Sequence, residues 1–593
     1  MERARGAVAP HRARSSVAPG RRLYTWLCGF AVVTILLAAC GPQQAAEQSN
    51  SAGANGGRQP GQVRTPKVLT IAAQRAPDDL HDDLGQRDPG VGGVGTIFAL
   101  PHDTLVVDDE QGGWRPRLAV EELSFEQGTW KVNPDNTMET TWKLHPNVNW
   151  HDGTPFTSAD LAFAFAVYKD PDVPNGIGAP LQLMESVSTP DSLTFVVHWS
   201  RPYLEANRAV GLIPMPKHIF EEIFTNDKAN LINSPRLTTE WVGLGPYRLA
   251  KWELGSHLEF VRFDDYYLGR PPLDAVIVRL IPDANALVAN ILSGAVDVIL
   301  SDGLDLDAAV EMKQRWEGTG NQVIIQPARA GGGLRHLEIQ YRPEYEQPKP
   351  GLPNLSVRRA LMHATDRQQL TQVITHGYGP IADSWVPPYH TLRPQYESAI
   401  PQYPFDRARA QQLLAQAGWT RGPDGTLVQP NGDRFEIQLY SSNGAQVERA
   451  IAVIAGDWKA VGADMKLHVI PIALAGDREY RAKLQGAGFT GGVGYDAFST
   501  DRLHSKFISA PANRWAASNR GGYVNARADD IIDRIVVTLD PAQQVAIKRE
   551  LLTEHTEDLA VMPLFWDIRT VPALKGIKGM EFGTWDLFHW DKD

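Results

Sequence analysis

The chain has 593 residues, a formal net charge of −11, 43% hydrophobic and 21% charged residues. This length exceeds what one hydrophobic core supports, so two or three domains are expected. The acidic balance excludes the basic face that nucleic acid requires, and no nucleic-acid partner is expected. The 52 Gly and 42 Pro argue for turns and long connections rather than a helical bundle. The 16 Trp suffice both to fill a core and to offer ring faces to a ligand.

In chain order, residues 1–39 read as an export signal. Arg3, Arg5, Arg12, Arg14, Arg21 and Arg22 precede an uncharged, largely apolar stretch at 23–39. That stretch is short for a membrane span, which needs about 20 apolar residues. It ends in Leu37-Ala38-Ala39-Cys40, which resembles the lipobox of bacterial lipoproteins, where the Cys is lipidated and becomes the mature N-terminus. The other cysteine, Cys28, lies inside the signal. The body after Cys40 therefore has no disulfide, thiolate metal site or Cys nucleophile. Residues 40–66 form the lipidated Cys and a flexible tether of Gln, Ala, Ser, Gly and Asn, too poor in apolar surface to offset its ordering entropy.

The folded body opens with the buried-strand pattern Lys67-Val68-Leu69-Thr70-Ile71-Ala72-Ala73. Thr140-Thr141-Trp142-Lys143-Leu144 alternates as a strand, and Thr157 with Asp160 fits a capping box before an apolar helix at 161–168. Strands are predicted at 258–263, 275–281 and 295–300. Asp283 caps a helix carrying Leu287, Val288, Ile291 and Leu292, and Gly294 stops it. This β-α-β order implies an α/β layer. Further on, Val357, Ala360, Leu361 and Ala364 keep helical spacing. Asp366 with Gln369, and Asp406, cap two more helices, and Phe435-Glu436-Ile437-Gln438-Leu439 alternates as a strand.

No phosphate loop, Gly-x-Ser-x-Gly elbow or His-Glu-x-x-His helix is present. The 16 His lack metal-site spacing. His151-Asp152 sits among turn residues and reads as a structural turn. Asp302, Asp305 and Asp307 lack the Gly and distal Glu of a calcium loop in register, and read as a solvated loop. No catalytic residue, metal or cofactor is expected.

Five segments resemble the family 5 extracellular solute-binding proteins, the peptide- and oligopeptide-binding lipoproteins of ABC importers. They are Trp142-Lys143-Leu144-His145-Pro146-Asn147-Val148-Asn149-Trp150-His151-Asp152-Gly153-Thr154-Pro155-Phe156, with Thr157 to Asp160 following; Gly243-Leu244-Gly245-Pro246-Tyr247 with Asp265-Tyr266-Tyr267; Pro282-Asp283-Ala284-Asn285-Ala286 leading into Ser293-Gly294-Ala295-Val296-Asp297; Val357-Arg358-Arg359-Ala360-Leu361 with Asp366-Arg367; and Ala417-Gly418-Trp419. The resemblance implies an α/β type II periplasmic-binding-protein fold, with two α/β lobes around a hinged cleft and an accessory mixed α/β domain. Lobe I would comprise 67–107, 228–328 and a C-terminal return at 560–593. The accessory domain would be 108–227 and lobe II 329–559. The implied function is non-enzymatic. The chain would capture peptides outside the cytoplasmic membrane by lobe closure and deliver them to an ABC permease and ATPase complex. It would act as a monomer held by the lipid on Cys40, on the periplasmic side in a two-membrane cell.

Peptide-binding members carry an acidic residue that pairs with the peptide α-ammonium. Its usual string is not present here. Asp496 or Asp501 is the candidate to supply that charge. Tyr495, Phe498, Trp515 and Trp385 either line ligand pockets or belong to the core, and Arg335 is a candidate at the cleft mouth. Receptors for oligosaccharides or another uncharged solute, and a lipoprotein hydrolase with a spatially assembled site, are the alternatives.

Overall fold

Strand Val68–Ala73 is buried through most of its length, because parallel neighbours flank it on both sides and leave no solvent face. It is the centre of a seven-stranded sheet ordered Gln322–Pro327, Ile568–Ala573, Val298–Ile299, Val68–Ala73, Ala275–Leu280, His257–Arg262, Tyr247–Glu253. The computed structural model describes residues 65–77, 79–81, 97–108, 114–173, 179–208, 212–300, 303–328, 333–346, 351–493, 502–580 and 586–593. The export signal, Cys40 and nearly all of the tether lie outside them. The strand predicted at 295–300 shortens to Val298–Ile299. At Asp297 the backbone still bonds to Thr70 and Leu574, and the carboxylate adds to it, accepting from the Thr70 N–H at 2.8 Å and from Lys592 Nζ at 2.7 Å.

A four-stranded antiparallel sheet, ordered Trp130–Val132, Met138–Lys143, Thr194–Trp199, Met184–Asp191, forms a separate layer. Helix Ser158–Lys169 packs on it. The Asp160 carboxylate accepts from the Thr157 N–H at 2.8 Å and from the Lys217 N–H at 3.0 Å, so one residue fixes the starts of two helices. The His151-Asp152 turn is structural. Asp152 accepts from the Thr154 N–H at 2.9 Å, and the His151 ring lies 2.9 Å from the Gly245 carbonyl and accepts from the Gly243 N–H at 3.2 Å. Those two glycines permit the contact: a Cβ at Gly243 would stand 1.9 Å from the Pro101 carbonyl oxygen, and one at Gly245 2.5 Å from that of Leu100.

The third sheet is five-stranded, ordered Asp464–Val469, Glu436–Ser441, Ala487–Val493, Leu334–Ile339, Val561–Trp566. Its first three strands are parallel and the other two antiparallel. The expected strand at 435–439 is Glu436–Ser441, with strict exposed-to-buried alternation at its start. Asp366 and Asp406 cap their helices as predicted, each accepting from the N–H three residues on. Two expectations change. The return to the first sheet, read as starting at 560, starts after Trp566, because the fully buried Val561–Trp566 pairs with Leu334–Ile339. The aspartates read as a solvated loop belong in part to a helix: Asp305 caps Leu306–Arg315 and Asp307 sits in its first turn, while Asp302 lies outside the described residues.

The interior holds several neutral imidazoles. Burial holds His102 and His151 at about 4 and His336 and His555 at about 3, and lowers His81 well below the ordinary value. Unfolding exposes them to protonation, so stability is full above the unfolded value near 6.5 and falls as pH drops toward the folded values. Buried Asp103, raised to about 6, and Asp160, also raised by burial, oppose this over part of the range. These two carboxyls do not cancel five imidazoles. The expected outcome is a melting temperature that falls steadily from pH 7 to pH 4.5, with His336→Gln reducing the slope by about 1.4 kcal/mol per pH unit. Thermal melts across that range check it, and a pH-independent melting temperature would contradict it.

Candidate functional site

The chain crosses between the seven-stranded and five-stranded sheets twice, once between Ala328 and Gly333 and once at Asp567. The crossings are stitched together: Ala328 N–H donates to the Asp567 carbonyl at 2.9 Å, and Asp567 N–H donates to the Gly333 carbonyl at 2.6 Å. Arg335 closes the joint through Nε and Nη2, at 2.9 and 2.6 Å from one oxygen of Asp567.

The carboxyl ends of the two sheets' parallel strands face one another. Helix Leu306–Arg315 follows strand Val298–Ile299 of one sheet, and helix Ala445–Ala460 follows strand Glu436–Ser441 of the other. They are joined by Asp307, whose carboxylate lies 2.7 Å from Arg449 Nη2 and 2.6 Å from His376 Nε2. In open α/β sheets ligands occupy the crevice outside the carboxyl ends of the strands. A recess of about 180 Å³ opens at those ends in the five-stranded sheet, beside Ser442, Ile470 and Gly491, and is lined by Glu338, Tyr440, Arg481 and Arg520. Beside it Arg502 and Glu338 border a smaller cavity of about 20 Å³ with His336 and Trp385. Strand glycines make room: a Cβ on Gly488 would stand 2.2 Å from the Tyr440 ring, and one on Gly491 2.8 Å from the Arg335 guanidinium.

A larger open groove of about 1530 Å³ runs between the four-stranded layer, at Phe125 and Trp130, and helix Pro541–Asp558, at Gln544 and Lys548. It includes no carboxyl end of a parallel strand, so its size alone does not make it the site. Among the described residues no group of three or more His, Cys, Asp or Glu is placed to hold a metal ion, and no helix is long and apolar enough to cross a membrane.

Of the residues singled out by sequence, Tyr495, Asp496, Phe498 and Asp501 lie outside the described residues. Arg335 lines the 180 Å³ recess, with its charge matched by Asp567. Trp385 is 6% exposed, in a core cluster, with its ring centroid 6.4 Å from that of His336 and 5.6 Å from that of His555. Trp515 takes a positive φ of 59° and lies 5.1 Å from Lys483 Nζ and 5.7 Å from the Arg342 guanidinium. Sequence reasoning missed Glu338, Tyr440, Arg481, Arg502 and Arg520. They lie far apart along the chain and share no motif. The available signal was the density of Arg between 478 and 520.

Asp307 is held below the usual carboxylate range by its hydrogen bond to His376 and by Arg449. Its contribution to the closed arrangement is therefore full above about pH 4 and fades as pH falls through the depressed value. Exposed pairs of this kind are worth about 0.2–1 kcal/mol. Asp307→Asn should raise the fraction of open molecules about 1.4- to fivefold, visible as a larger radius of gyration in small-angle scattering. An unchanged scattering curve would show that the pair does not bias the lobes.

Comparison with known proteins places this geometry. The oligopeptide-binding protein AppA of Bacillus subtilis is 26% identical over 332 residues, 55% of this chain and 58% of AppA. A putative ABC transporter peptide-binding protein of Brucella ovis is 26% identical over 300 residues, 49% of this chain and 51% of that protein. The chain thus spans little more than half the length of these curated relatives. The solved structure of Bacillus subtilis AppA in complex with a nonapeptide superposes with a TM-score of 0.69 at 20% identity, covering 89% of this chain and 100% of that one. NikZ of Campylobacter jejuni in complex with Ni(L-His) gives a TM-score of 0.69 at 21% identity, with the same coverage. The fold is that of the type II periplasmic-binding proteins. Residues 118–511 match the model of the bacterial extracellular solute-binding proteins, family 5; with that match over most of the folded body, the chain belongs to this family.

Proposed function

We propose that this protein captures peptides outside the cytoplasmic membrane and delivers them, unaltered, to the permease and ATPase of an ABC importer. The observation that carries the reading is the pairing of family membership with two sheets that present their parallel-strand carboxyl ends to one another across a two-strand joint. A ligand held between those ends touches both lobes only when they close, so binding and closure are thermodynamically linked. The peptide-binding names of the relatives from Bacillus and Brucella support peptides as the solute.

In this reading lobe I is 67–107 and 228–328 with the C-terminal return, the accessory domain is 108–227, and lobe II occupies the sequence between. Either Asp496 or Asp501 meets the peptide α-ammonium, and Tyr495, Phe498, Trp515 and Trp385 are the aromatic candidates to line the ligand pockets. The protein acts as a monomer, tethered through the lipid on Cys40, on the periplasmic side in a two-membrane cell. No bond of the solute is broken.

Native mass spectrometry of the gently purified full chain tests this. Peptides should co-purify at one equivalent, be released intact on denaturation, and be lost from either Asp496→Ala or Asp501→Ala. An empty protein, a bound sugar, or cleavage products that accumulate with time would each defeat the peptide-receptor reading.

A further inference from the structure

Three arginines stand at the carboxyl end of the five-stranded sheet, and among the described residues they outnumber the carboxylates beside them. Arg481 sits in the short helix Arg478–Ala482 that precedes the sheet's third strand, Arg502 follows that strand in the chain, and Arg520 precedes the Gly521-Gly522 turn. Arg481 and Arg520 line the 180 Å³ recess, and Arg502 reaches to 3.5 Å from the Gly491 carbonyl at its edge. All three are half-buried. Among the described residues none of them forms an ion pair, whereas the neighbouring Arg335 is satisfied by Asp567. The one carboxylate lining the recess is Glu338, which makes no ion pair closer than 4 Å among the described residues. Among the described residues these three guanidinium groups therefore face one carboxylate. Burial and the charge of Arg520 both push the Arg481 and Arg502 guanidinium groups below their ordinary range, so the groups act on one another as a cluster.

A partly desolvated charge without a partner is costly, and unrelieved like charges add to that cost. Such an arrangement persists where a counter-charge arrives from outside. The guanidinium fork matches a carboxylate in two parallel hydrogen bonds, and the Tyr440 hydroxyl adds a neutral donor on the same wall. A cavity of about 150 Å³ holds a benzene-sized guest, so 180 Å³ takes one acidic side chain and excludes a chain of several residues.

We propose that the recess bounded by Arg481, Arg502 and Arg520 is a specificity pocket for an acidic side chain of the bound solute. This inference rests on the peptide reading above: the solute would be a peptide with Asp or Glu at one fixed position. Glu338 keeps the empty pocket from carrying the full charge of all three arginines.

The test uses the full chain and calorimetric titration with tetrapeptide amides bearing a free amine, in which Glu or Gln is placed at each position in turn. At one position Glu should bind about ten- to a hundredfold more tightly than Gln, the span of charge-assisted hydrogen bonds. Arg481→Gln and Arg520→Gln should each bring that ratio toward one. The ratio is internal to each variant, so a variant with reduced overall affinity still reports. Equal binding of Glu and Gln peptides at every position would overturn the assignment and leave the peptide reading intact. If no peptide binds, the peptide reading falls, and citrate decides the pocket. Citrate that raises the melting temperature of the wild type above that in chloride of equal ionic strength, but not of Arg481→Gln or Arg520→Gln, keeps it as a carboxylate site. Citrate without effect, or with an effect the variants share, removes it.

Discussion

The architecture depends on the joint at Asp567. One residue meets the other crossing through its backbone and Arg335 through its side chain: its carbonyl accepts from Ala328, its N–H donates to Gly333, and its carboxylate accepts twice from Arg335. The backbone bonds tie Asp567 to the residues on either side of the other crossing, Ala328 and Gly333. Arg335 adds a charge-assisted contact from the adjoining strand, two donors on one oxygen of Asp567. Two bodies joined in this way have a low-energy motion about the paired segment and resist sliding or dissociation. A solute that fits between the bodies therefore acts on one coordinate, which is the condition for closure to report occupancy.

The placement of charge follows that coordinate. Near the joint Arg335 is neutralised, so opening and closing does not expose an unmatched ion there. Asp307 reaches His376 and the Arg449 guanidinium on the opposite body, both exposed. Solvent screens such contacts, and they remain weak enough to break. The recess beside Arg335 differs from both, with more arginines than carboxylates among its described lining residues. The pairing is thus uneven: matched at the joint, exposed at Asp307, and incomplete among the described residues of the recess.

Much of the scaffold was legible in the sequence because its signals are local. A capping Asp three residues before the N–H it accepts from is written in adjacent letters, and Asp283, Asp366 and Asp406 each did what their position indicated. The alternation in Glu436–Ser441 was equally direct. Boundaries set by distant partners were harder. Val561–Trp566 is buried on both faces and carries no period to say which sheet owns it, and the bounds of Val298–Ile299 are set by pairing with strands more than 200 residues away in each direction.

The site was the least legible part, for the same reason in stronger form. Arg481, Arg502 and Arg520 are brought together by the order of strands in a sheet, and no spacing rule applies to them. Glu338 and Arg335 share a strand and both line the same recess. Arg335 is balanced by Asp567 at the joint, whereas Glu338 is the carboxylate that the described lining sets against Arg481 and Arg520. One strand thus carries both a contact of the pivot and a charge of the recess, which ties the pivot to the chemistry of the pocket.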